Sequence, residues 1–245
     1  MRNYKFEISY DGTKYNGWEK KSNGITIQGK LESVLCEMTG ASVEVIGCGR
    51  TDAGVHAEAM IANAHMDTDK SEDEILSYMN HYLPSDISVN QITIVPDLFH
   101  ARYNAKGKTY TYTCFVGPKK PIFDRKYITV LDYAPDIEKM RSAAICLLGS
   151  HDFTSFCTKG SKKKSPVRVI YSLDIKREGD YIYFYVHGSG FLYNMVRIIV
   201  GTLLQVGHGE IPPESVEQIL LSRDRQKAGP TVPAQGLCLT SVDYS

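Results

Sequence analysis

The amino-acid sequence contains no run of about 18 apolar residues, the length that a membrane-spanning helix needs. The most apolar stretch, residues 196–206, is shorter and contains Arg197 and Gln205. Residues 1–5 have no apolar core of the kind that export signals carry. We therefore expect no membrane contact and a cytoplasmic location.

Patterns typical of metal and nucleotide sites are also missing. The six cysteines include no C-x-x-C pair, and the seven histidines include no H-x-x-x-H. The cysteines are expected to be small buried hydrophobes in a reducing compartment. There is no P-loop, and the glycines at 47–49 lack the third glycine of a dinucleotide fingerprint. The sequence therefore predicts no metal and no nucleotide cofactor.

The net charge is zero, but the charges are unevenly distributed along the chain. Residues 1–100 carry 8 basic and 15 acidic side chains, whereas residues 101–168 carry 14 basic and 5 acidic ones. A basic surface of this kind either binds a polyanion or is simply solvated, and charge alone leaves both open. Residues 159–165, with four lysines, have a similar pair of interpretations, a mobile linker or a loop that grips RNA.

Hydrophobic periodicity predicts an α+β fold in which the order βαββαβ occurs twice. We expect two ferredoxin-like (RRM-like) halves, residues 1–105 and 106–245, whose antiparallel sheets join into one larger sheet with helices on one face. The predicted strands are 4–10, 43–47, 59–66, 87–95, 108–116, 167–176, 181–187 and 237–244. The predicted helices are 27–38, 71–82, 137–148, 191–206 and 213–222.

The segment from Gly47 to Ala57 is the most unusual in the chain. Its glycines let the backbone turn sharply and approach a ligand closely. Arg50 and Asp52 are two residues apart, so an extended backbone directs both to one side. Asp52 in such a loop is a nucleophile, a general base or a metal ligand, or it is a turn residue that bonds its own backbone. For an arbitrary Asp-Ala-Gly, the turn is the commoner outcome.

Two further residues stand out in the second half. Tyr110 lies on a predicted strand near Lys106 and Lys108, and aromatic rings amid positive charge often stack on bases, although core tyrosines are commoner. Arg197 lies in an apolar helix and would need a carboxylate partner if it were buried. Alternatively, it belongs to a helical stripe that faces solvent, which also contains Asn194, Gly201 and Gln205.

Taken together, these residues and their neighbours resemble the tRNA pseudouridine synthase A family. The similar segments extend over nearly the whole chain and follow one another in the family's order. Residues 49–57 are similar to that family's catalytic-aspartate motif. The other similar segments are 10–12, 17–18, 27–28, 99–105, 108–112, 190–203, 223–224 and 228–237. Differences from the family are Glu19, where it usually has Gln, and Glu58-Ala59, where it usually has Gly-Gln. They bear on RNA affinity and on the choice of target uridine.

The resemblance implies an isomerase that converts uridine to pseudouridine at positions 38, 39 and 40 of the tRNA anticodon stem-loop. It makes Asp52 the catalytic aspartate, Tyr110 the ring that stacks on the target base, and Arg50 the arginine that enters the RNA and helps displace that base. Arg197 would be paired with the catalytic carboxylate. The reaction needs no cofactor. The family forms homodimers, which the apolar stretch 191–206 permits.

Two other functions fit parts of the sequence. A non-catalytic RNA-binding protein of two RRM-like halves would explain the basic residues and the aromatic strands, but not the Arg50-Thr51-Asp52 loop. An enzyme acting on a small phosphorylated molecule would use Asp52 as a base in a Gly-rich phosphate loop. An assay of pseudouridine formation separates the first from the family function, and tight binding of a nucleotide or sugar phosphate without RNA would favour the second.

Overall fold

The structure is a computed structural model that describes residues 1–158 and 165–244. The predicted mobile segment therefore lies outside the described residues, apart from Ser165. The strands are β1 (Arg2–Tyr10), β2 (Ile46–Gly47), β3 (His56–Met66), β4 (Ile87–Val95), β5 (Gly107–Phe115), β6 (Thr129–Val130), β7 (Gly149–Asp152), β8 (Val167–Glu178), β9 (Tyr181–Gly188) and β10 (Leu237–Asp243). The helices are α1 (Ile27–Thr39), α2 (Glu72–Tyr82), α3 (Ile137–Ala144), α4 (Met195–His208) and α5 (Ser215–Ser222).

The chain divides into two compact units. The first unit comprises residues 1–106 and 238–245, and the second comprises 107–237. The sequence-based division at 105/106 kept the C-terminal residues with the second half, whereas the structure groups them with the first. The reason is strand pairing, since β10 runs parallel to β3 with Cys238 opposite His56. Tyr244 also donates a hydrogen bond to the carbonyl of Ala101 at 2.6 Å.

In the first unit, β1 is the centre of an antiparallel sheet. It pairs with β3 on one side and with β4 on the other, and β3 also pairs with β2. The alternating residues Tyr4, Phe6 and Ile8 of β1 are buried, as the period of two predicts. The helices α1 and α2 bury one face each, which includes Leu31 and Ile75, and these side chains complete the core.

Local signals determine where these helices begin. Ser71 and Glu74 form a capping box at the start of α2, since each side chain accepts from the other residue's backbone N–H. Thr26 caps α1 in a similar way by accepting from the N–H of Gly29 at 3.3 Å. At its other end, α1 stops at Gly40, whose φ of +68° favours glycine.

In the second unit, β5, β9, β8 and β7 form an antiparallel sheet in that order, and β6 pairs in parallel with β5. The alternating residues Ile182, Phe184 and Val186 of β9 are fully buried. The helix α4 is buried on nearly every side, with Ile198, Ile199, Val200 and Leu203 all at 0% exposure. The core of this unit therefore lies between the sheet and α4.

Several predicted elements differ in extent from those observed. The helix expected at 191–206 begins only at Met195, because Asn194 has a φ of +61°, which a helix does not accommodate. The strand expected at 43–47 is limited to Ile46–Gly47, and the helix expected at 137–148 ends at Ala144. The strands β6 and β7 were not predicted, since two to four residues are too few to show a period.

The observed mixture of helices and strands confirms the predicted α+β class. Within residues 1–158 and 165–244, no helix combines the length and the apolar character that crossing a membrane would require.

Candidate active site

Asp52 lies in the first unit, in the loop between β2 and β3. The side chain is half-buried, the flanking Thr51 and Val55 are buried, and the N–H of Val55 donates to the carbonyl of Asp52 at 3.1 Å. Gly54 has a φ of +78°, which lets the chain reverse at this point. Asp52 therefore begins a turn, and its carboxylate is attached to a defined backbone. A turn residue and a reactive carboxylate are thus compatible interpretations of Asp52.

Residues 10–18 hold the loop on the N-terminal side of Asp52. The hydroxyls of Tyr10 and Thr51 form a buried hydrogen bond of 2.7 Å, and the N–H of Trp18 donates to the carbonyl of Thr51 at 3.0 Å. Trp18 is only 3% exposed, and its indole fills the space where a side chain at Gly47 would lie. These contacts join residues that are distant in the sequence, so they restrict the position of the carboxylate.

Gly12 and His56 hold the loop on the other side. The N–H of Gly12 donates to Nδ1 of His56 at 3.0 Å, and the same nitrogen lies 3.3 Å from a carboxylate oxygen of Asp11. A Cβ atom at Gly12 would lie 2.0 Å from the carbonyl oxygen of Val55, which is far inside van der Waals contact. Backbone therefore packs directly on backbone three residues after Asp52.

Arg50 lies two residues before Asp52 and is largely exposed. Its guanidinium forms an ion pair with the carboxylate of Glu19. An exposed arginine next to a rigid carboxylate loop is suitably placed for contact with a polyanion. The first unit thus contains two of the residues that the sequence singled out, Asp52 and Arg50.

Tyr110 and Arg197 belong to the second unit. Tyr110 lies on β5 opposite Val186 of β9, and its ring meets that of Phe191 edge to face, with centroids 5.3 Å apart. Tyr110 is 8% exposed, so it is nearly a core residue. Because the ring is nearly buried and packs against Phe191, its orientation is set by packing.

Tyr112, two residues further along β5, is entirely buried and has a different role. Its hydroxyl donates to the carbonyl of Pro233 at 2.9 Å and also bonds to Thr129. Burial raises the pKa of the Tyr112 phenol, while the bond to Thr129 and the charge of Arg197 act in the opposite direction. Both tyrosines are therefore buried, and Tyr112 is the one whose hydroxyl is fixed by hydrogen bonds inside the core.

Arg197 is half-buried in the first turn of α4. Its Nε donates to the carbonyl of Val232 at 2.7 Å, and one terminal nitrogen donates to the side chain of Asn194 at 2.8 Å. These bonds fix the plane of the guanidinium. The helix end and the segment before β10 therefore orient Arg197 together.

The stripe of α4 that contains Arg197 does not face solvent. A Cβ atom at Gly201 would lie 2.0 Å from the carbonyl oxygen of Pro230, and the hydroxyl of Thr202 accepts from the N–H of Gly229 at 2.9 Å. The stripe packs on residues 229–232, which excludes the solvent-facing alternative. The signal in the sequence was the glycine, since a glycine inside a helix often marks a close backbone approach.

Several residues that hold the candidate site in place are not indicated by the sequence. They are His56, which lies in the motif at 49–57, and Tyr10 and Gly12, which contact the loop from β1 and the segment that follows it. Each of these contacts joins residues that are far apart in the sequence. Sequence periodicity carries no information on such pairs, so only the folded chain shows them.

Within the first unit, a half-buried carboxylate on a fixed loop beside an exposed arginine is suited to acid–base or nucleophilic chemistry. A family model described as tRNA pseudouridine synthase matches residues 8–104 and 143–245. The tRNA pseudouridine synthase A of Clostridium acetobutylicum is 46% identical over 244 residues, with 100% of both chains covered. Its counterpart from a Bacillus species is 48% identical over 245 residues, again with 100% of both chains covered.

The chain therefore belongs to the tRNA pseudouridine synthase family, and its class is that of an isomerase acting on tRNA. A chain of a solved Cbf5-Nop10-Gar1 complex aligns with 97% of this chain and 49% of its own length, with 10% identity and a TM-score of 0.40. That likeness is too weak to bear on fold or function.

Proposed function

We propose that the protein isomerises uridine to pseudouridine at positions 38, 39 and 40 of the tRNA anticodon stem-loop, with Asp52 as the essential carboxylate. The observation that carries the proposal is the loop at 49–57, which lies within the family match and is held by buried contacts on both sides. Substrate and product contain the same atoms: the bond from C1′ to N1 of uracil breaks, and a bond from C1′ to C5 forms. C5 loses its proton in this exchange, and N1 gains one. The reaction consumes no oxidant, reductant or nucleotide.

Each of the four residues receives a role in the proposal. The target base must leave its stack before the enzyme can reach it, and Arg50 fills the space that it leaves. Tyr110 stacks on the displaced base, and Arg197 provides a further substrate-binding guanidinium. Asp52 must be ionised to act on the glycosidic bond. We also infer that each half of the chain is a ferredoxin-like fold, which the order β4-β1-β3-β2 in the first unit supports.

The direct test is an assay of pseudouridine formation with purified protein and tRNA labelled in uridine. Product at positions 38, 39 and 40 is the expected result. It is located by mass after pseudouridine has been tagged chemically, because uridine and pseudouridine have the same mass. The tRNA from cells that lack the gene should have uridine at these positions. Binding of tRNA without any product would instead favour an RNA-binding protein that has lost catalysis.

The proposal extends to a homodimer that acts in the cytoplasm, with family membership as its support. Of the apolar stretch 191–206, residues 195–204 are buried apart from Arg197, whereas Tyr193 is exposed, so the stretch offers little free surface for an interface. A mass measurement in solution tests the dimer, and a monomeric mass at micromolar concentration would contradict it.

For Tyr110, we expect Tyr110→Phe to impair the reaction less than Tyr110→Ala. Phenylalanine keeps the ring that stacks on the base and the contact with Phe191, whereas alanine removes both. Loss of one base-stacking ring reduces binding by roughly 10- to 100-fold. The measurement is kcat/KM of each variant, with urea unfolding to account for lost stability. Equal losses in both variants would argue against stacking.

Binding of tRNA should weaken steeply as salt increases, because phosphate contacts release counterions. Residues 101–168 supply the excess of basic side chains, and Lys119, Lys120 and Arg125 of the second unit are exposed. Lys119→Ala should lower the slope of log Kd against log salt concentration by about 1. Lys70→Ala is the matched control, since Lys70 is also exposed but lies among acidic residues. If the Kd of the wild type for tRNA did not change with salt concentration, contacts with phosphate would not contribute to binding.

A further inference from the structure

The ion pair between Glu19 and Arg50 has a consequence for RNA binding. Arg50 is the cation proposed to enter the RNA, and in the structure its guanidinium is occupied by a carboxylate of the same chain. The side chains are 42% and 59% exposed for Glu19 and Arg50, respectively, so an incoming phosphate has access to both. A guanidinium binds carboxylate and phosphate through the same N–H groups, and the two anions therefore compete.

The backbone around Glu19 is fixed next to the aspartate loop. The preceding residue, Trp18, donates its N–H to Thr51, and its carbonyl accepts from the N–H of Gln28 at 3.0 Å. The following residue, Lys20, donates its N–H to the side chain of Gln28 at 2.8 Å. Hydrogen bonds of the two flanking residues thus hold Glu19 close to Arg50, so the fold itself brings the two side chains together.

The lysines that follow Glu19 have other partners. The ammonium of Lys20 lies 2.8 Å from a carboxylate oxygen of the buried Glu32, and this hydrogen bond raises the pKa of Lys20. The ammonium of Lys21 donates to the carbonyl of Asn16 at 3.0 Å. Glu19 therefore faces Arg50 instead of its own neighbours in the sequence.

We propose that Glu19 is a positioning residue that holds Arg50 in the free protein and must release it when RNA binds. The inference rests on the proposed function, in which Arg50 contacts the substrate. Two effects follow from the contact: the guanidinium is kept beside the aspartate loop before RNA arrives, and the affinity for RNA is lower than Arg50 alone would provide. The carboxylate thereby sets how readily tRNA is bound and released.

The test is the Kd of unmodified tRNA for Glu19→Gln, at constant low salt. An exposed ion pair is weak, so we expect the variant to bind tRNA about two- to fivefold more tightly than the wild type. Turnover should show a lower KM with kcat unchanged, because the contact is broken before the chemical step. Glu19→Asp retains the charge, and its affinity for tRNA should lie between those of the wild type and Glu19→Gln.

The matched control is Glu44→Gln, which removes the same charge from an exposed glutamate of the first unit. A second control places Glu19→Gln in an Arg50→Gln background, where the gain in affinity should vanish because no guanidinium is left to release. If the effect came only from the loss of a negative charge, Glu44→Gln would bind tRNA more tightly as Glu19→Gln does. Glu19→Gln would then also improve binding both with Arg50 present and in the Arg50→Gln background. That result, or weaker binding by Glu19→Gln, would overturn the inference.

The outcomes also separate the inference from the proposed function. If the wild-type enzyme forms pseudouridine but Glu19→Gln binds tRNA no more tightly, the result contradicts only the competition between Glu19 and RNA for Arg50. A tighter Glu19→Gln variant, in a protein that forms no pseudouridine, contradicts the catalytic proposal and supports the competition between Glu19 and RNA.

Discussion

Asp52→Asn is expected to abolish pseudouridine formation while tRNA still binds. Asparagine has nearly the same volume and keeps the backbone bond from Val55 to residue 52, so the loop should retain its shape. The amide, however, can act neither as an anionic nucleophile nor as a general base. A loss of at least about 10²–10⁴-fold in kcat follows from the removal of such a group.

The measurement is single-turnover product formation, with Kd determined separately on the same tRNA. Asp69→Asn is the control, because Asp69 is an exposed carboxylate of the same unit and lies outside the loop. It should leave both quantities unchanged. Substantial turnover by Asp52→Asn would refute the catalytic assignment, and loss of tRNA binding together with activity would indicate a binding role.

Gly12→Ala is expected to cause the second-largest loss, although Gly12 is forty residues away from Asp52 in the sequence. The added Cβ would lie 2.0 Å from the carbonyl oxygen of Val55; the Cβ is bonded directly to the backbone and the oxygen is part of it, so neither atom can rotate away. The loop must therefore move, and a shift of about 1 Å in a catalytic group lowers the rate by roughly 10²-fold. Overpacking of this kind also lowers the free energy of unfolding by about 1–3 kcal/mol.

Gly40→Ala separates the displacement of the loop from simple loss of stability. Gly40 ends α1 with a φ of +68°, and no atom lies within 4 Å of a Cβ built there. Alanine in this conformation costs about 1 kcal/mol of stability without any effect near Asp52. Urea unfolding and kcat/KM together should show both variants destabilised and only Gly12→Ala impaired in catalysis. Full activity of Gly12→Ala would show that the loop tolerates the displacement.

Features that depend on neighbouring residues were readable in the sequence. The alternation of Tyr4, Phe6 and Ile8, the capping box at Ser71 and the helix from Ile27 all follow from spacings of two to four residues. The motif at 49–57 was likewise recognisable, because its glycines, its arginine and its aspartate lie within a few residues of one another. These signals were sufficient to predict the α+β class and to nominate Asp52.

The ends of several helices and strands, and the pairings between distant strands, could not be predicted from the sequence. The start of α4 depends on the positive φ of Asn194, which the apolar sequence from Phe191 onward does not indicate. Residues 238–244 belong with the first unit because β10 pairs with β3, and no periodicity in either segment indicates that pairing. The strands β6 and β7 are held by their partners and have too few residues for a pattern of their own.

By itself, the sequence determined the secondary-structure class, the family resemblance and the four residues to test. Only the tertiary structure decided what holds those residues: Gly12 against Val55, Glu19 against Arg50, and Arg197 bonded to Val232. The physical reason is the range of the interactions. Periodicity and capping are local and recur within a few residues, whereas a hydrogen bond or a backbone contact between distant segments exists only after the chain has folded.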